Sequence, residues 1–87
     1  MEDRIHVIVL TAEGKKLDKM VSYVSVPGED GPVGVLAGHL PLICSVKSGE
    51  LFCRFGEDEK LSLRLWDGIA TVADNEVSVL ASRAEEV

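Results

Sequence analysis

The chain holds nine basic residues against fifteen acidic ones, two cysteines and four aromatic side chains (Tyr23, Phe52, Phe55 and Trp66). Each shortage excludes something. A net charge of −6 without a basic stripe leaves nothing to neutralise the phosphates of a nucleic acid, so no nucleic-acid partner is expected. No stretch approaches the roughly 20 apolar residues that a helical membrane span needs. Met1-Glu2-Asp3-Arg4 has the wrong charge pattern for a secretory leader, and a soluble chain on the cytoplasmic side is expected. Cys44 and Cys53 lack Cys-x-x-Cys spacing and have only His6 and His39 for company. They read as reduced thiols packed as small hydrophobes, with no metal and no disulfide. A helical-period segment of ordinary length is also missing.

What remains is strand signal. At 87 residues and 46% hydrophobic, the chain can bury one small core, so residues 1–87 form a single domain. Ile5 to Leu10 reads as a first strand, with His6 at its rim, followed by a hairpin loop at Glu13-Gly14-Lys15-Lys16. Met20 to Val26 reads as a second strand with Met20, Ser22, Val24 and Val26 on one face, ended by Pro27-Gly28. Val33 to Leu36 is a short strand. Leu40 to Val46 is another, with Pro41 at its start because proline cannot donate to an interior ladder. Lys47-Ser48-Gly49-Glu50 is then expected to turn the chain. Leu51, Cys53 and Phe55 share one strand face, and Leu61, Leu63 and Leu65 another, the latter with Ser62 and Arg64 outward. Trp66-Asp67-Gly68 is read as a kink into Ile69–Ala73, and Asp74-Asn75 as the turn into Glu76–Ala81. Ser82 to Val87 holds helix-forming residues but too few for a stable helix. The fold class is all-β: a small antiparallel β-sandwich of about eight to ten short strands without a helical domain.

Val26 to Leu42 contains all three prolines and four of the eight glycines. Its core, Asp30-Gly31-Pro32-Val33-Gly34-Val35-Leu36-Ala37-Gly38-His39-Leu40-Pro41-Leu42, follows the pattern acidic-Gly-x-hydrophobic-Gly-hydrophobic-x-x-Gly-His-x-Pro-hydrophobic. This arrangement resembles the β-sandwich domain of the epsilon subunit of rotary F-type ATP synthases, equivalent to the mitochondrial delta subunit. The likeness extends from Ile5 to Ala84. Lys47-Ser48-Gly49 matches Lys-Pro-Gly, Trp66-Asp67-Gly68-Ile69 matches Ser-Gly-Gly-hydrophobic, and Asn75-Glu76-Val77-Ser78-Val79-Leu80-Ala81 matches Asn-x-Val-Thr-Val-Leu-Ala. Pro32, Ala37 and Trp66 depart from the residues usual in that family.

The resemblance implies a non-catalytic subunit of the rotating central stalk, docked on the gamma subunit and on the ring of c subunits. It would couple ion translocation to ATP synthesis in the α/β hexamer at the cytoplasmic face of a bacterial inner membrane, meeting the membrane only through the complex. Gamma contact is expected at Val33, Val35, Leu36 and His39, and c-ring contact at Gly28, Glu29, Asp30, Gly31 and Pro32. Gly34, Gly38, Pro41 and Gly68 are expected to be structural turns. The family continues into a helical hairpin where this sequence ends at Val87, so neither hairpin-type inhibition of hydrolysis nor ATP binding by the domain is expected.

An enzymatic reading finds no support in the spacing. His39 with Cys44 or Cys53 and Asp67 could be drawn as a triad, but nucleophile elbow, phosphate loop and metal-ligand cluster are all missing. Gly31, Gly34 and Gly38 follow acidic residues and lead into a strand, whereas a phosphate cradle leads into a helix N-terminus and carries a lysine. No cofactor is expected. The alternative from another class is a stand-alone sandwich that binds a ligand or a protein.

Overall fold

Eight strands make up most of the computed structural model, which describes residues 4–87: β1 (Ile5–Thr11), β2 (Gly14–Val21), β3 (Tyr23–Gly28), β4 (Gly31–Val35), β5 (Leu42–Val46), β6 (Gly49–Arg54), β7 (Lys60–Ala73) and β8 (Glu76–Glu86). Met1, Glu2 and Asp3, whose charges with Arg4 spoke against a secretory leader, lie outside the described residues. Eight falls within the expected range, but β7 and β8, at 14 and 11 residues, are not short. No helix occurs among the described residues.

The two long strands generate the sandwich. They pair with each other from Leu63↔Glu86 to Ala73↔Glu76, which takes in all of β8 and all but the first three residues of β7. β5 pairs with the later part of β7 and β6 with its earlier part. β1 joins the first half of β8, and β2 joins β1. One layer is therefore β2-β1-β8-β7-β5, and the other is built from β4, β3, β6 and the remaining halves of β7 and β8. All pairings are antiparallel except β1 with β8, which is parallel and corrects the fully antiparallel expectation.

Between the layers lies an aliphatic core: Ile5, Val7 and Val9 of β1, Val24 and Val26 of β3, Leu51 and Cys53 of β6, Leu63 and Leu65 of β7, and Val77 and Val79 of β8. Alternation puts these β-branched and leucine side chains inward, where burial removes their apolar surface from water.

Five local readings change. β2 is a strand, not the tail of a hairpin loop; the turn is Ala12-Glu13, and Gly14 follows it at φ 118°. The face of the second strand switches at Ser22, so that Val21 and Val24 are buried while Met20 is exposed. Ser22 is the corner between the layers, its N–H and its Oγ–H both donating to the Arg54 carbonyl at 2.8 Å. Lys47-Ser48 does not reverse the chain. Val46 pairs with Gly68 and Gly49 with Leu65, three residues on in each strand, so β5 and β6 run as one interrupted strand beside β7. Trp66-Asp67-Gly68 lies inside a continuous β7, and Ser82 to Glu86 are strand because pairing with β7 and burial of Ala84 override their helix preference.

Candidate functional site

The Gly- and Pro-rich segment divides into two exposed loops at different places on the sandwich. The first is the β3–β4 hairpin. Gly28 pairs with Gly31 across Glu29-Asp30, and Gly31 takes φ 122°, a conformation that side-chain-bearing residues rarely adopt. Glu29 and Asp30 are exposed at the tip, and the Glu29 N–H donates to the Ser45 carbonyl at 2.9 Å, tying the tip to β5. Pro32 sits on the edge strand β4, where no neighbour asks for its missing N–H. Gly28, expected as a contact, is buried; a Cβ there would lie 2.8 Å from the Gly31 carbonyl oxygen, so its part is to close the hairpin.

The second loop is Leu36 to Pro41, which leads into β5. The His39 N–H donates to the Leu36 carbonyl at 3.1 Å, closing a turn in which Gly38 takes φ 87°. The His39 Nδ1 lies 2.6 Å from the Leu40 carbonyl, and the ring is half-buried. Its neighbours Leu36 and Leu40 are 61% and 78% exposed. Val35, expected as a contact, is 1% exposed and faces the core, so its side chain cannot meet a partner, while Val33 is half-buried against the core. Gly38 and Pro41 behave as turn and strand-start residues. Gly34 and Gly68 do not: both lie within strands. A Cβ on Gly34 would lie 2.9 Å from the Tyr23 hydroxyl oxygen, and one on Gly68 would overlap the Leu80 carbonyl oxygen and sit 2.8 Å from the Ala81 Cα.

A third feature escaped the sequence reading. On the outer face of the first layer, Leu10 stands opposite Leu80, and Leu80 opposite Ile69, while Ile43 projects from β5 beside them. Ile43, Ile69 and Leu80 are 75%, 53% and 62% exposed, an aliphatic ladder bare to solvent beside the Leu36–Pro41 loop. Soluble domains seldom leave so contiguous a patch uncovered unless something binds there. The signal was present: Ile8 with Leu10, Ile69 and Leu80 place apolar residues on both faces of their strands, where a solvated sheet alternates with polar ones.

The rim of this face is polar. His6 Nε2 lies 2.6 Å from Asp18 Oδ1 and its Nδ1 lies 3.6 Å from Glu76 Oε1, while Lys15 Nζ donates to Asp18 Oδ2 at 2.8 Å. The Lys15 hydrogen bond, with that of His6 behind it, holds the Asp18 carboxyl below its ordinary value. Burial pushes the Cys53 thiol up to about 11 and the Cys44 thiol upward too, so neither is primed as a nucleophile. Among the described residues, no group of three or more His, Cys, Asp or Glu could hold a metal ion.

Asn75 also went unnoticed as a site residue. With Asp74 it forms the β7–β8 turn, both at positive φ (52° and 61°), as a type I′ hairpin requires. Its Oδ1 accepts from the Gly38 N–H at 2.7 Å and its carbonyl accepts from the His6 N–H at 2.9 Å.

Comparison with known proteins gives one consistent answer. The family model described as ATP synthase, Delta/Epsilon chain, beta-sandwich domain matches residues 4–87. The ATP synthase epsilon chain of Syntrophobacter fumaroxidans is 37% identical over 86 residues, covering 99% of this chain and 63% of the relative. That of Magnetococcus marinus is 40% identical over 77 residues, covering 87% and 55%. The chain thus spans less than two thirds of the length of these curated relatives. Among solved structures, a chain of the Euglena gracilis mitochondrial ATP synthase superposes with a TM-score of 0.89 at 22% identity, over 99% of this chain and 55% of that one. A chain of the Tetrahymena thermophila mitochondrial ATP synthase central stalk and c-ring gives 0.78 at 13% identity, over 98% and 68%. At such identities these two likenesses speak to the fold.

Proposed function

The chain belongs to the delta/epsilon chain family of ATP synthases, through that family's β-sandwich domain, and from this premise we propose that it is a non-catalytic subunit of the rotary central stalk. In this reading the bare aliphatic face of Leu10, Leu80, Ile69 and Ile43, continued by Leu36 and Leu40 and edged by His39, docks on the gamma subunit. The exposed tip Glu29-Asp30, with Gly31 and Pro32, meets the polar loops of the c-ring. The subunit then works at the cytoplasmic face of a bacterial membrane and passes torque from the ring, through gamma, to the α/β hexamer. Its part is binding energy and stiffness. A sandwich whose two longest strands belong to both layers resists shear between them, which suits a coupling that must not slip.

The observation that carries the reading is the aliphatic ladder. Bare apolar side chains on a rigid sheet make a docking surface whose burial favours association by roughly 25 cal/mol per Å² before the costs of binding are subtracted. The test is binding to purified gamma subunit. Ile69→Lys with Leu80→Lys should weaken binding by about a hundredfold or more, because two charges would be buried without partners. Glu29→Lys with Asp30→Lys should leave gamma binding nearly intact and weaken attachment to the c-ring. An unaltered chain that ignores gamma would favour the stand-alone binding module instead.

A further inference from the structure

We propose that Asn75 is a positioning residue, a clip that holds the Leu36–Pro41 loop in the shape that presents Leu36, His39 and Leu40 to the partner. The inference rests on the docking reading above. The loop makes few hydrogen bonds. The His39 N–H to Leu36 carbonyl bond and the His39 ring to Leu40 carbonyl contact both stay inside it. Among the described residues, the bond that ties it to another part of the fold is Gly38 N–H to Asn75 Oδ1, at 2.7 Å. Gly38 is also the loop's positive-φ residue, so the clip grips the loop at its point of greatest backbone freedom.

Asn75 itself is fixed from two sides. Its positive φ is set by the two-residue turn between β7 and β8, and its carbonyl accepts from His6 of β1. The side chain therefore reaches the loop from the junction of three strands that form the aliphatic face. Loop and face are held in register by one amide oxygen. Without it, Leu36 and Leu40 stay exposed but lose their fixed place ahead of β5, and binding must supply the ordering.

A turn role and a positioning role can be separated, because the turn needs the backbone conformation and the clip needs the oxygen. Asn75→Gly keeps the turn, since aspartate followed by glycine is itself a favoured pair there, but removes the acceptor. Asn75→Asp keeps both. In Asn75→Gly, hydrogen exchange at the Gly38 amide should accelerate about five- to tenfold while the His6 amide, bonded to the backbone carbonyl of position 75, is unchanged. Dissociation from purified gamma should accelerate by a similar factor, with the melting temperature nearly unmoved. Asn75→Asp should restore both readouts to those of the unaltered chain. Unchanged Gly38 exchange in Asn75→Gly overturns the clip, and faster exchange with unchanged gamma dissociation overturns the positioning role. A lack of gamma binding by the unaltered chain is a different failure, that of the docking reading, and the exchange measurement still decides whether the clip exists.

Discussion

The two outward sheet faces of this domain carry apolar groups in opposite ways. On the first layer, Leu80, Ile69 and Ile43 lie bare. On the second, the large apolar groups are aromatic and each is attended: the Arg54 guanidinium lies 5.6 Å from the Phe52 ring centroid, Arg83 lies 4.7 Å from that of Trp66, and Tyr23 leans on Phe52 at 6.3 Å. The arginine stems and charges cover one face with groups that remain content in water. Among the described residues, nothing comparable covers the other. The lesson is that hydrophobicity alone does not mark a docking surface; what marks it is apolar area that the chain's own polar side chains leave uncovered.

The largest effect should come where the faces share their support. β7 and β8 belong to both layers, and at Gly68 they approach so closely that any Cβ collides with the backbone of Leu80 and Ala81. The obstacle is main chain rather than a movable side chain. Gly68→Val should therefore cost on the order of 4 kcal/mol or abolish folding, read as the urea midpoint or as loss of the β-sheet circular dichroism signal. Both faces should fail together. A folded Gly68→Val variant of near-normal stability would mean that the strands separate there more easily than this packing implies.

A smaller effect should separate the faces. Removing a roof, as in Arg83→Ala, takes away the Trp66 contact and its pairing with Glu85, and should cost about 0.5–1 kcal/mol. Ile69→Lys on the bare face removes a half-exposed side chain with no roof to lose, and should change stability by less than about 0.5 kcal/mol. Chemical denaturation of the two variants, each with an unchanged m-value, measures the difference. If Ile69→Lys proved the more damaging, the aliphatic ladder would be holding the sheet together rather than waiting for a partner.

The same contrast explains how far the sequence could be read. Inward faces were legible wherever alternation was unbroken, as at Val7 and Val9 or at Leu63 and Leu65, because burial on one side writes a period of two into the chain. β2 was hidden because Gly14, Lys15, Lys16, Asp18 and Lys19 look like loop; as an edge strand it is paired on one side only, and its charges guard the free edge. The register beyond it slipped because Ser22 turns a corner between layers, a tertiary event with no local signature. At the site, the acidic tip and the Leu36–His39 loop were visible in the motif spacing. Val35 was misplaced because alternation within β4 sends it inward. The aliphatic ladder was assembled from β1, β5, β7 and β8, and the Asn75 clip spans 37 residues, so neither could be seen until the topology brought the parts together.

The smallest expected effect lies on the rim of the bare face and depends on pH. Asp18 accepts from Lys15 and meets His6, and these hydrogen bonds lower its carboxyl from the ordinary value of 3.8. A carboxyl held lower in the folded state than in the unfolded one contributes stability that is complete above the unfolded value and disappears as pH falls through the folded one. The contribution of Asp18 should therefore be constant from neutral pH down to about 5 and fade below about 4. Because the group is exposed, screening keeps the effect small, and 1 M salt should shrink it further. Asp18→Asn should accordingly sit slightly below the unaltered chain in melting temperature at pH 7, with the gap narrowing as the pH falls below about 4. Narrowing in acid assigns the gap to the carboxylate. A gap that persists unchanged at pH 3 would assign it to strand pairing at the β1–β2 edge, and the polar rim would then be part of the scaffold rather than an electrostatic border to the docking face.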